Sequence, residues 1–261
     1  MRTLIVGIDP PEQELIREVV HGPVVFHEIL PEYRVESGRL FAHNRSGSRF
    51  LEIDRVVFHG IFADDFDFIT ALALWGGPCL PSGSGLLDCR LRLPCLARAR
   101  RVSRFGADPR GFVAPGKTVD ARGADTVAKW GNWHCGEGKE RFTASFTAPD
   151  EPVVLEAFHP GEAVRVALVG ERAWQVRLMG DGWLKSIHDD RSEFMEIDPE
   201  LLADTRALAE HFDLALIGVD YIAGEGGRAH LLEVNHAPNV TVFDEMRDAF
   251  VALVAEFANA E

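Results

Sequence analysis

The sequence is poor in several features that would assign a class of protein at once. Its four cysteines, Cys79, Cys89, Cys95 and Cys135, form neither a close metal-binding pair nor a dense disulfide pattern, so reduced thiols are expected. No stretch approaches the roughly 18 uninterrupted apolar residues of a membrane-spanning helix. The N-terminal segment also lacks the apolar core of a signal peptide. We therefore expect a soluble, cytoplasmic protein without a membrane partner.

Positive charge is also scarce. The chain has 41 acidic and 27 basic residues and a formal net charge of −14, which argues against nucleic acid as a partner because phosphate backbones attract basic surfaces. Only four lysines occur, Lys117, Lys129, Lys139 and Lys185, and the first three lie within 23 residues. Such a cluster in an acidic chain indicates a local anion site, and chance clustering on a surface is the alternative.

The composition otherwise indicates a globular chain. With 261 residues and 46% apolar content it can bury a large core, as one large domain or two small ones. The first part favours an α/β arrangement of strands, one hairpin and helices, at residues 3–8, 11–20, 24–30, 33–41, 55–60 and 64–75. A Gly/Ser/Pro run at 81–85 predicts a boundary between an N-terminal α/β domain, 1–85, and a second domain, 86–261.

The second domain is predicted to mix helices and strands. Residues 86–105 favour an arginine-rich helix that Pro94 must kink or split, and residues 106–116 favour a loop. Strands are predicted at 126–130, 141–144, 153–158, 163–169 and 173–178, and helices at 199–212 and 244–259.

A hairpin is predicted near the C-terminus. Residues 214–222 and 231–234 are rich in β-branched and large apolar residues, which favours two strands. The link 224–228 contains three glycines and is turn-forming. The two strands should therefore pair in antiparallel fashion.

Three oxygen-bearing side chains occur in this hairpin at positions where hydrophobic packing alone would favour apolar residues. A turn centred on the Gly-Gly pair of the link sets Asp220 opposite Glu233, and Asn235 shares the face of Glu233 because strand side chains alternate. Facing carboxylates repel each other unless a cation or hydrogen bonds compensate. Oxygen donors suit Mg²⁺, or Mn²⁺ as the alternative, better than zinc. The competing interpretation is a charged, solvent-facing hairpin edge.

A glycine-rich stretch, 131–138, joins two predicted antiparallel strands and is flanked by Lys129 and Lys139. Spaced glycines, here including Gly136 and Gly138, allow backbone amides to fold over phosphate oxygens. The stretch lacks the Gly-Lys-Ser/Thr ending of a phosphate loop and the following helix of a dinucleotide fingerprint. It fits a flap over a nucleotide triphosphate, although many ordinary hairpins also carry glycines.

Together these motifs resemble the ATP-grasp superfamily, in particular its carboxylate–amine ligases, such as the ribosomal protein S6 glutamate ligase and the glutathione synthetases. The strongest match is Gly-Val-Asp at 218–220, followed by Leu-Leu-Glu-Val-Asn at 231–235 and by Pro238. The resemblance extends over roughly residues 86–250. It implies an α/β (α+β) ATP-grasp fold in which a small lobe, about 106–158, and a C-terminal lobe, about 159–261, clasp a nucleotide beside a Rossmann-like N-terminal domain.

The resemblance also assigns roles to individual residues. Asp220, Glu233 and Asn235 match the positions that bind the Mg²⁺ ions bridging the ATP phosphates. The remaining nucleotide-binding positions correspond to phosphate contacts at Lys129, Gly136, Gly138, Lys139 and Lys185, to an adenine-binding hinge at Glu156, Ala157 and Phe158, and to a ribose contact at Glu162.

The chemistry implied by the resemblance is activation of a carboxylate by ATP. The carboxylate becomes an acyl phosphate, and an amine then attacks it and releases phosphate. Arg165 matches an arginine that faces the reacting phosphate in the family. We expect Arg165, with Arg177 as a second candidate, to stabilise the acyl phosphate or hold a substrate carboxylate, because a guanidinium can bind oxyanions in bidentate fashion. For Arg165 the alternative is a strand residue paired with a surface acid. The implied partners are small-molecule carboxylate and amine substrates, either amino acids or peptides, and a homo-oligomer is a further expectation.

Four positions depart from the family pattern. Cys89 stands where a second phosphate-binding lysine is usual, Ala163 at the ribose position, Ile187 where an asparagine is expected, and Asn239 in place of a glycine. These departures leave two alternatives to a ligase open: a catalytically silent nucleotide-binding or regulatory module, and a metal-dependent phosphotransferase that uses the same site.

Overall fold

The computed structural model describes residues 1–131, 138–224 and 228–260. The helices formed by these residues are α1 (Pro10–Val19), α2 (Phe66–Trp75), α3 (Gly83–Arg90), α4 (Arg92–Ala99), α5 (Pro199–Phe212) and α6 (Asp244–Asn259). None of the helices in this part of the chain is long and apolar enough to cross a membrane.

The strands belong to five sheets. In chain order they are β1 (Thr3–Val6), β2 (Val24–His27), β3 (Tyr33–Glu36), β4 (Arg39–His43), β5 (Phe50–Ile53), β6 (Arg55–Phe58), β7 (Cys79–Leu80), β8 (Arg110–Val113), β9 (Thr118–Asp120), β10 (Thr126–Trp130), β11 (Lys139–Phe142), β12 (Ser145–Thr147), β13 (Val153–Ala157), β14 (Glu162–Val169), β15 (Arg172–Arg177), β16 (Glu193–Met195), β17 (Leu216–Ala223) and β18 (Ala229–Asn235).

The N-terminal part is built on a parallel sheet in the order β2-β1-β6-β7. Side chains of β1 alternate between its two faces, and both faces are covered, as is usual for a parallel sheet. Leu4 and Val6 pack in a core cluster with Leu72 of α2. Ile5 packs in a different cluster with Phe250 of α6. The antiparallel sheet β3-β4-β5 contributes to the first of these clusters.

The largest sheet is antiparallel, in the order β16-β15-β14-β17-β18. Alternation along β14 sends Val164 and Val166 into a cluster with Leu208 of α5. It sends Ala167 into the cluster that contains Val254 of α6. Helix α6 therefore packs in one continuous core with both the N-terminal sheet and the large sheet, and this core fixes the position of one sheet relative to the other.

A smaller antiparallel sheet, β11-β10-β13-β8, and the strand pair β9-β12 make up the third unit. Its core contains Ala128, Phe142, Phe146 and Val153. The chain enters this sheet at the start of β8 and leaves it at the end of β13. We call the four-stranded sheet β11-β10-β13-β8 the small sheet.

Most of the predicted elements are present. The helices at 199–212 and 244–259 and the strand at 126–130 have the predicted bounds. The segment 86–105 is split as expected, but at Leu91 rather than at Pro94, because Leu91 is extended and Pro94 lies in the first turn of α4, where its missing N–H costs no helical hydrogen bond. The loop predicted at 106–116 is wrong, since β8 begins at Arg110.

The Gly/Ser/Pro run at 81–85 leads directly into α3, where Ser82 caps the helix by accepting a hydrogen bond from the backbone N–H of Gly85. Leu86 packs in the N-terminal core, whereas Cys95 and Leu96 of α4 pack against the large sheet. Helices α3 and α4 therefore contact both the N-terminal core and the large sheet. The domain boundary near residue 85 stays a prediction.

Two leucines of α2 allow the packing of the N-terminal core to be tested. Leu72 is 0% exposed and Leu74 is 82% exposed. We expect Leu72→Ala to lower the free energy of unfolding by about 2–5 kcal/mol, because it removes buried methyl groups and leaves a cavity. Leu74→Ala, the matched control, should change it by no more than about 0.5 kcal/mol. Urea denaturation followed by circular dichroism measures both, and equal losses would contradict this packing.

Candidate active site

The hairpin of β17 and β18 brings together the three oxygen donors predicted from the sequence. Asp220 lies opposite Glu233, and a register shift follows between Asp220 and Tyr221. The Asn235 Nδ2 donates a hydrogen bond of 3.3 Å to Asp220 Oδ2. All three side chains are buried, with 8%, 5% and 4% of Asp220, Glu233 and Asn235 exposed. The alternative of a solvent-facing hairpin edge is therefore wrong.

Arginines compensate the two buried carboxylates. Arg165 lies opposite Asp220 on β14, and its Nε and Nη2 donate hydrogen bonds of 2.6 and 2.9 Å to the two carboxylate oxygens. The Arg92 Nη2 lies 3.5 Å from Glu233 Oε1, and both side chains are buried. The acid that pairs with Arg165 is thus a buried metal-ligand candidate, not a surface residue. Guanidinium groups therefore supply compensating positive charge at both carboxylates, where a cation was expected from the sequence.

A glycine is required directly beside this pair. A Cβ atom at Gly218 would lie 2.5 Å from Pro238 Cβ and 3.3 Å from Arg165 Cδ. No real Cβ atom tolerates the first distance. The Gly-Val-Asp and Pro238 motifs are therefore linked by a packing contact, which allows the loop after β18 and the Arg165 side chain to approach β17.

The small sheet carries the two central lysines. Lys129 on β10 lies opposite Lys139 on β11, and the Lys129 ammonium forms an ion pair with Glu156 of β13. Burial lowers the pKa of Lys139, and the positive charges of Lys129 and Arg92 lower it further, whereas Glu233 and Asp220 act in the opposite direction. No described residue forms an ion pair with Lys139. Such a partly desolvated ammonium is suited to an anionic ligand.

Two adjoining cavities meet at the lysines and carboxylates of the two sheets. The inter-sheet cavity lies between the small and large sheets and is lined by Val127, Lys129, Glu156, Phe158, Ile222 and Leu232, among others. The N-terminal cavity lies beside the parallel sheet and is lined by Gly7, Asp9, Glu12, His59, Arg165 and Asn235, among others. Lys139, Lys185, Asp220 and Glu233 line both cavities. A ligand that fills the first cavity therefore extends its charged end toward the second.

Three further predicted residues, Glu156, Ala157 and Phe158, line the inter-sheet cavity. The Glu156 carboxylate forms ion pairs with Lys129 and, at 2.9 Å, with Arg110 of β8. Its side chain is thus engaged with cations. The Lys185 Nζ donates a 2.7 Å hydrogen bond to the carbonyl of Gly180.

Some predicted residues are not brought into the site. Arg177 forms hydrogen bonds of 2.6 Å with both Glu162 and Glu193 on the exposed part of the large sheet. Neither Arg177 nor Glu162 is among the described residues that line the two cavities. Gly136 lies outside the described residues. Gly138 has a positive φ of 62° and accepts a hydrogen bond from the backbone N–H of Trp130.

Two buried arginines of the site were not predicted as functional residues. Arg92 reaches Glu233 across 141 positions of sequence, and Arg110 donates a 2.7 Å hydrogen bond to the carbonyl of Leu231. Their only local signal is an arginine among apolar neighbours in a helix or strand. Cys89, by contrast, is fully buried, and a hydrogen bond with Cys95 together with burial raises the pKa of its thiol. It packs in the core below the site.

No protein-family model and no curated protein matches this sequence. Solved structures do match it along its whole length. The D-alanyl-alanine synthetase A of Vibrio cholerae superposes with a TM-score of 0.70 at 12% identity, covering 99% of this chain and 97% of that one. The macrocyclase MdnC of Microcystis aeruginosa, bound with precursor peptide MdnA, gives 0.61 at 15% identity with 100% of both chains covered.

The ATP-grasp ligase PsnB, complexed with a phosphomimetic variant of a minimal precursor, Mg and ADP, gives a TM-score of 0.60 at 15% identity, with 97% and 98% of the chains covered. The chain has the ATP-grasp fold. The fold class expected from the sequence is therefore confirmed. In this ATP-grasp fold the small sheet carries Lys129 and Lys139, and the large sheet carries Asp220 and Glu233 on the other side of the inter-sheet cavity.

The lowered pKa of Lys139 can be measured directly. A lowered pKa means that the ammonium loses its proton at a lower pH than an ordinary lysine does. We expect the ¹³C-methyl signal of dimethylated Lys139, assigned with Lys139→Arg, to titrate at a lower pH than free dimethyl-lysine. Lys129→Met should move this titration to higher pH, because it removes a nearby positive charge. If dimethylated Lys139 titrated at the same pH as free dimethyl-lysine, this result would contradict a desolvated environment for Lys139.

Proposed function

We propose that this protein joins a carboxylate to an amine in an ATP- and Mg²⁺-dependent reaction that proceeds through an acyl phosphate. The observation that carries the proposal is the convergence of two charge sets on adjoining cavities. The small sheet offers Lys129 and Lys139, and the facing hairpin offers the oxygen donors of Asp220, Glu233 and Asn235. One set suits phosphates, and the other suits the divalent ion that accompanies them.

The donor set fits Mg²⁺. Asp220, Glu233 and Asn235 supply carboxylate and amide oxygens without sulfur or imidazole, which is the preference of Mg²⁺ and also of Mn²⁺. The bidentate pairing of Asp220 with Arg165 fixes the orientation of the carboxylate, and Asp220 lines the N-terminal cavity. When held by these residues, Mg²⁺ would supply positive charge that stabilises the phosphoryl group during its transfer.

The inter-sheet cavity suits the nucleotide. The apolar side chains of Val127, Phe158, Ile222 and Leu232 provide surfaces against which a base can pack. The backbone at Ala157 and Phe158 would read the adenine edge, since the Glu156 side chain is held by Lys129 and Arg110. This arrangement directs the phosphates toward the cations at the junction of the two cavities.

The phosphate-binding groups of the chain lie at that junction. Lys139 and Lys185 line both cavities, so their ammonium groups would bind the phosphate oxygens. Lys129 stands on the strand beside Lys139 and adds positive charge. Burial of Lys129 and partial burial of Lys139 strengthen the electrostatic effect of these two groups, because little water screens them, whereas Lys185 is exposed.

The substrate would occupy the N-terminal cavity. A carboxylate oxygen attacks the terminal phosphorus of ATP and ADP leaves; an amine nitrogen then attacks the acyl carbon, loses a proton and expels inorganic phosphate. Arg165 is placed to stabilise the charge of the acyl phosphate, since its guanidinium lines this cavity. Arg177, exposed and paired with two glutamates, is assigned no such role.

Both signs of charge line the N-terminal cavity. Asp9 and Glu12 are acidic, whereas Arg165 and Lys185 are basic. A substrate that carries both an ammonium and a carboxylate group complements such a surface. Amino acids and peptides have this character, and the superposing enzymes act on D-alanine or are bound with precursor peptides. We therefore propose an amino acid or a peptide as substrate.

The site assignment is tested by Glu233→Gln. This change keeps the side-chain volume but weakens a metal ligand, so we expect kcat/KM for Mg²⁺-dependent ADP release to fall by about 100-fold or more, with an unchanged circular dichroism spectrum. Glu256→Gln on the exposed face of α6 is the matched control and should retain full activity.

The assay first requires an ADP-release screen of amino acids and dipeptides, followed by mass analysis of the product. Undiminished Mg²⁺-dependent turnover by Glu233→Gln would overturn the metal assignment. ADP release that needs a carboxylate but no amine would instead indicate a phosphotransferase. ATP binding without turnover across the whole panel would indicate a nucleotide-binding module.

A further inference from the structure

A second cluster of ligating side chains lies at the edge of the inter-sheet cavity, which His159 lines, and does not include the oxygen donors Asp220, Glu233 and Asn235. It consists of Asp108, His159 and His230, which we call the hinge cluster. Asp108 lies two residues before β8, and His159 lies two residues after β13, so the two residues flank both connections of the small sheet to the rest of the chain. His230 lies on β18 of the large sheet. The cluster therefore joins three segments that meet only through the fold.

The polar atoms of the hinge cluster converge on one carboxylate oxygen. The His230 Nδ1 lies 2.7 Å from Asp108 Oδ2, and the His159 Nε2 lies 3.2 Å from the same oxygen. The two imidazole rings stack with their centroids 3.6 Å apart and their planes at 10°. The three side chains are between 16% and 21% exposed, so an ion and a water molecule can reach them from solvent.

We propose that the hinge cluster is a binding site for a divalent transition-metal ion such as Zn²⁺. Two imidazole nitrogens and one carboxylate oxygen are a donor set that favours such ions over Mg²⁺. Zn²⁺ bonds of about 2.0–2.1 Å in tetrahedral geometry separate neighbouring ligand atoms by about 3.3 Å. The separation of His159 Nε2 from Asp108 Oδ2, 3.2 Å, is close to this value. The His230 Nδ1, 2.7 Å from the same oxygen, would have to move away by about 0.6 Å to share an ion with it.

Metal binding requires a small rearrangement of the rings. A bond from an imidazole nitrogen lies in the plane of its ring, so two nearly parallel rings must turn until their lone pairs converge on one ion. The ion would replace the hydrogen bond between His230 Nδ1 and Asp108 Oδ2 and the 3.2 Å contact of His159 Nε2 with the same oxygen, and water would complete the coordination.

The positive charge beside the hinge cluster is partly offset. Arg110 is a neighbouring positive group, and its Nη1 donates a 3.2 Å hydrogen bond to the backbone carbonyl of Asp108. Glu156 pairs with Arg110 and also with Lys129, so it offsets part of this charge, and the Asp108 carboxylate supplies further negative charge at the cluster. A metal ion at the hinge cluster would tie both connections of the small sheet to β18, the strand that carries Glu233 and Asn235. The site would thus hold the small sheet in position while remaining separate from the oxygen donors.

Titration with Co²⁺ in the presence of excess Mg²⁺ tests the proposal on the full-length protein. We expect one equivalent to bind with visible d–d absorption and without a thiolate-to-cobalt charge-transfer band. His159→Asn and His230→Gln should each weaken binding by about tenfold or more, because each removes a ligand. His21→Gln, an exposed histidine, and Glu233→Gln should bind Co²⁺ as the unmodified chain does.

A measurement on the unmodified protein keeps the test independent of whether the variants fold. The chain has ten histidines, and Zn²⁺ should shift the side-chain ¹⁵N resonances of two of them, His159 and His230. Absence of Co²⁺ absorption, a thiolate band, unchanged binding by both histidine variants, or ¹⁵N shifts at other histidines would each overturn the site. None of these readouts depends on ligase activity, so failure here and failure of the proposed function are distinguishable.

Discussion

The burial of two carboxylates on neighbouring strands is the constraint around which this molecule is arranged. An ionised group removed from water costs several kcal/mol unless charges and hydrogen bonds compensate it. Asp220 receives a bidentate contact from Arg165 on the next strand of the same sheet, and Glu233 is approached by Arg92 from α4. The charges therefore couple the large sheet to the helix that packs on it, and the hairpin keeps its donors fixed before any ligand arrives.

The same principle extends to the small sheet. Lys129, Glu156 and Arg110 stand on three adjacent strands and form a buried chain of alternating charge. Lys139 sits beside this chain without an ion-pair partner among the described residues, so it keeps positive charge for an anion at the cost of a lowered pKa. The apolar core around α6 performs the complementary task of holding the N-terminal sheet against the large sheet. Together, the ion pairs of the small sheet and the apolar core around α6 position both walls of the junction where the two cavities meet.

Much of this arrangement could be predicted from local patterns. The Asp220–Glu233 pairing follows from the period of two along strands and from the position of the turn, and the amphipathic periodicity of α5 and α6 predicts their bounds. The strand β8 was missed because a short segment rich in Gly and Pro resembles a loop, and its pairing with β13 is set by a partner at least forty residues away. Short strands gain their stability from such non-local pairing and not from their own residues.

The sequence by itself determined the oxygen-donor hairpin and the lysines of the small sheet, because each depends on residues that are close along the chain. The ATP-grasp architecture was implied by the resemblance of these motifs to those of a known superfamily. Only the tertiary structure decided which charges meet. The pairing of Arg92 with Glu233, the exclusion of Arg177 from the cavities and the gathering of Asp108, His159 and His230 join residues that are distant in sequence. Their positions follow from how sheets and helices pack, since burial and electrostatic compensation act on neighbours in space.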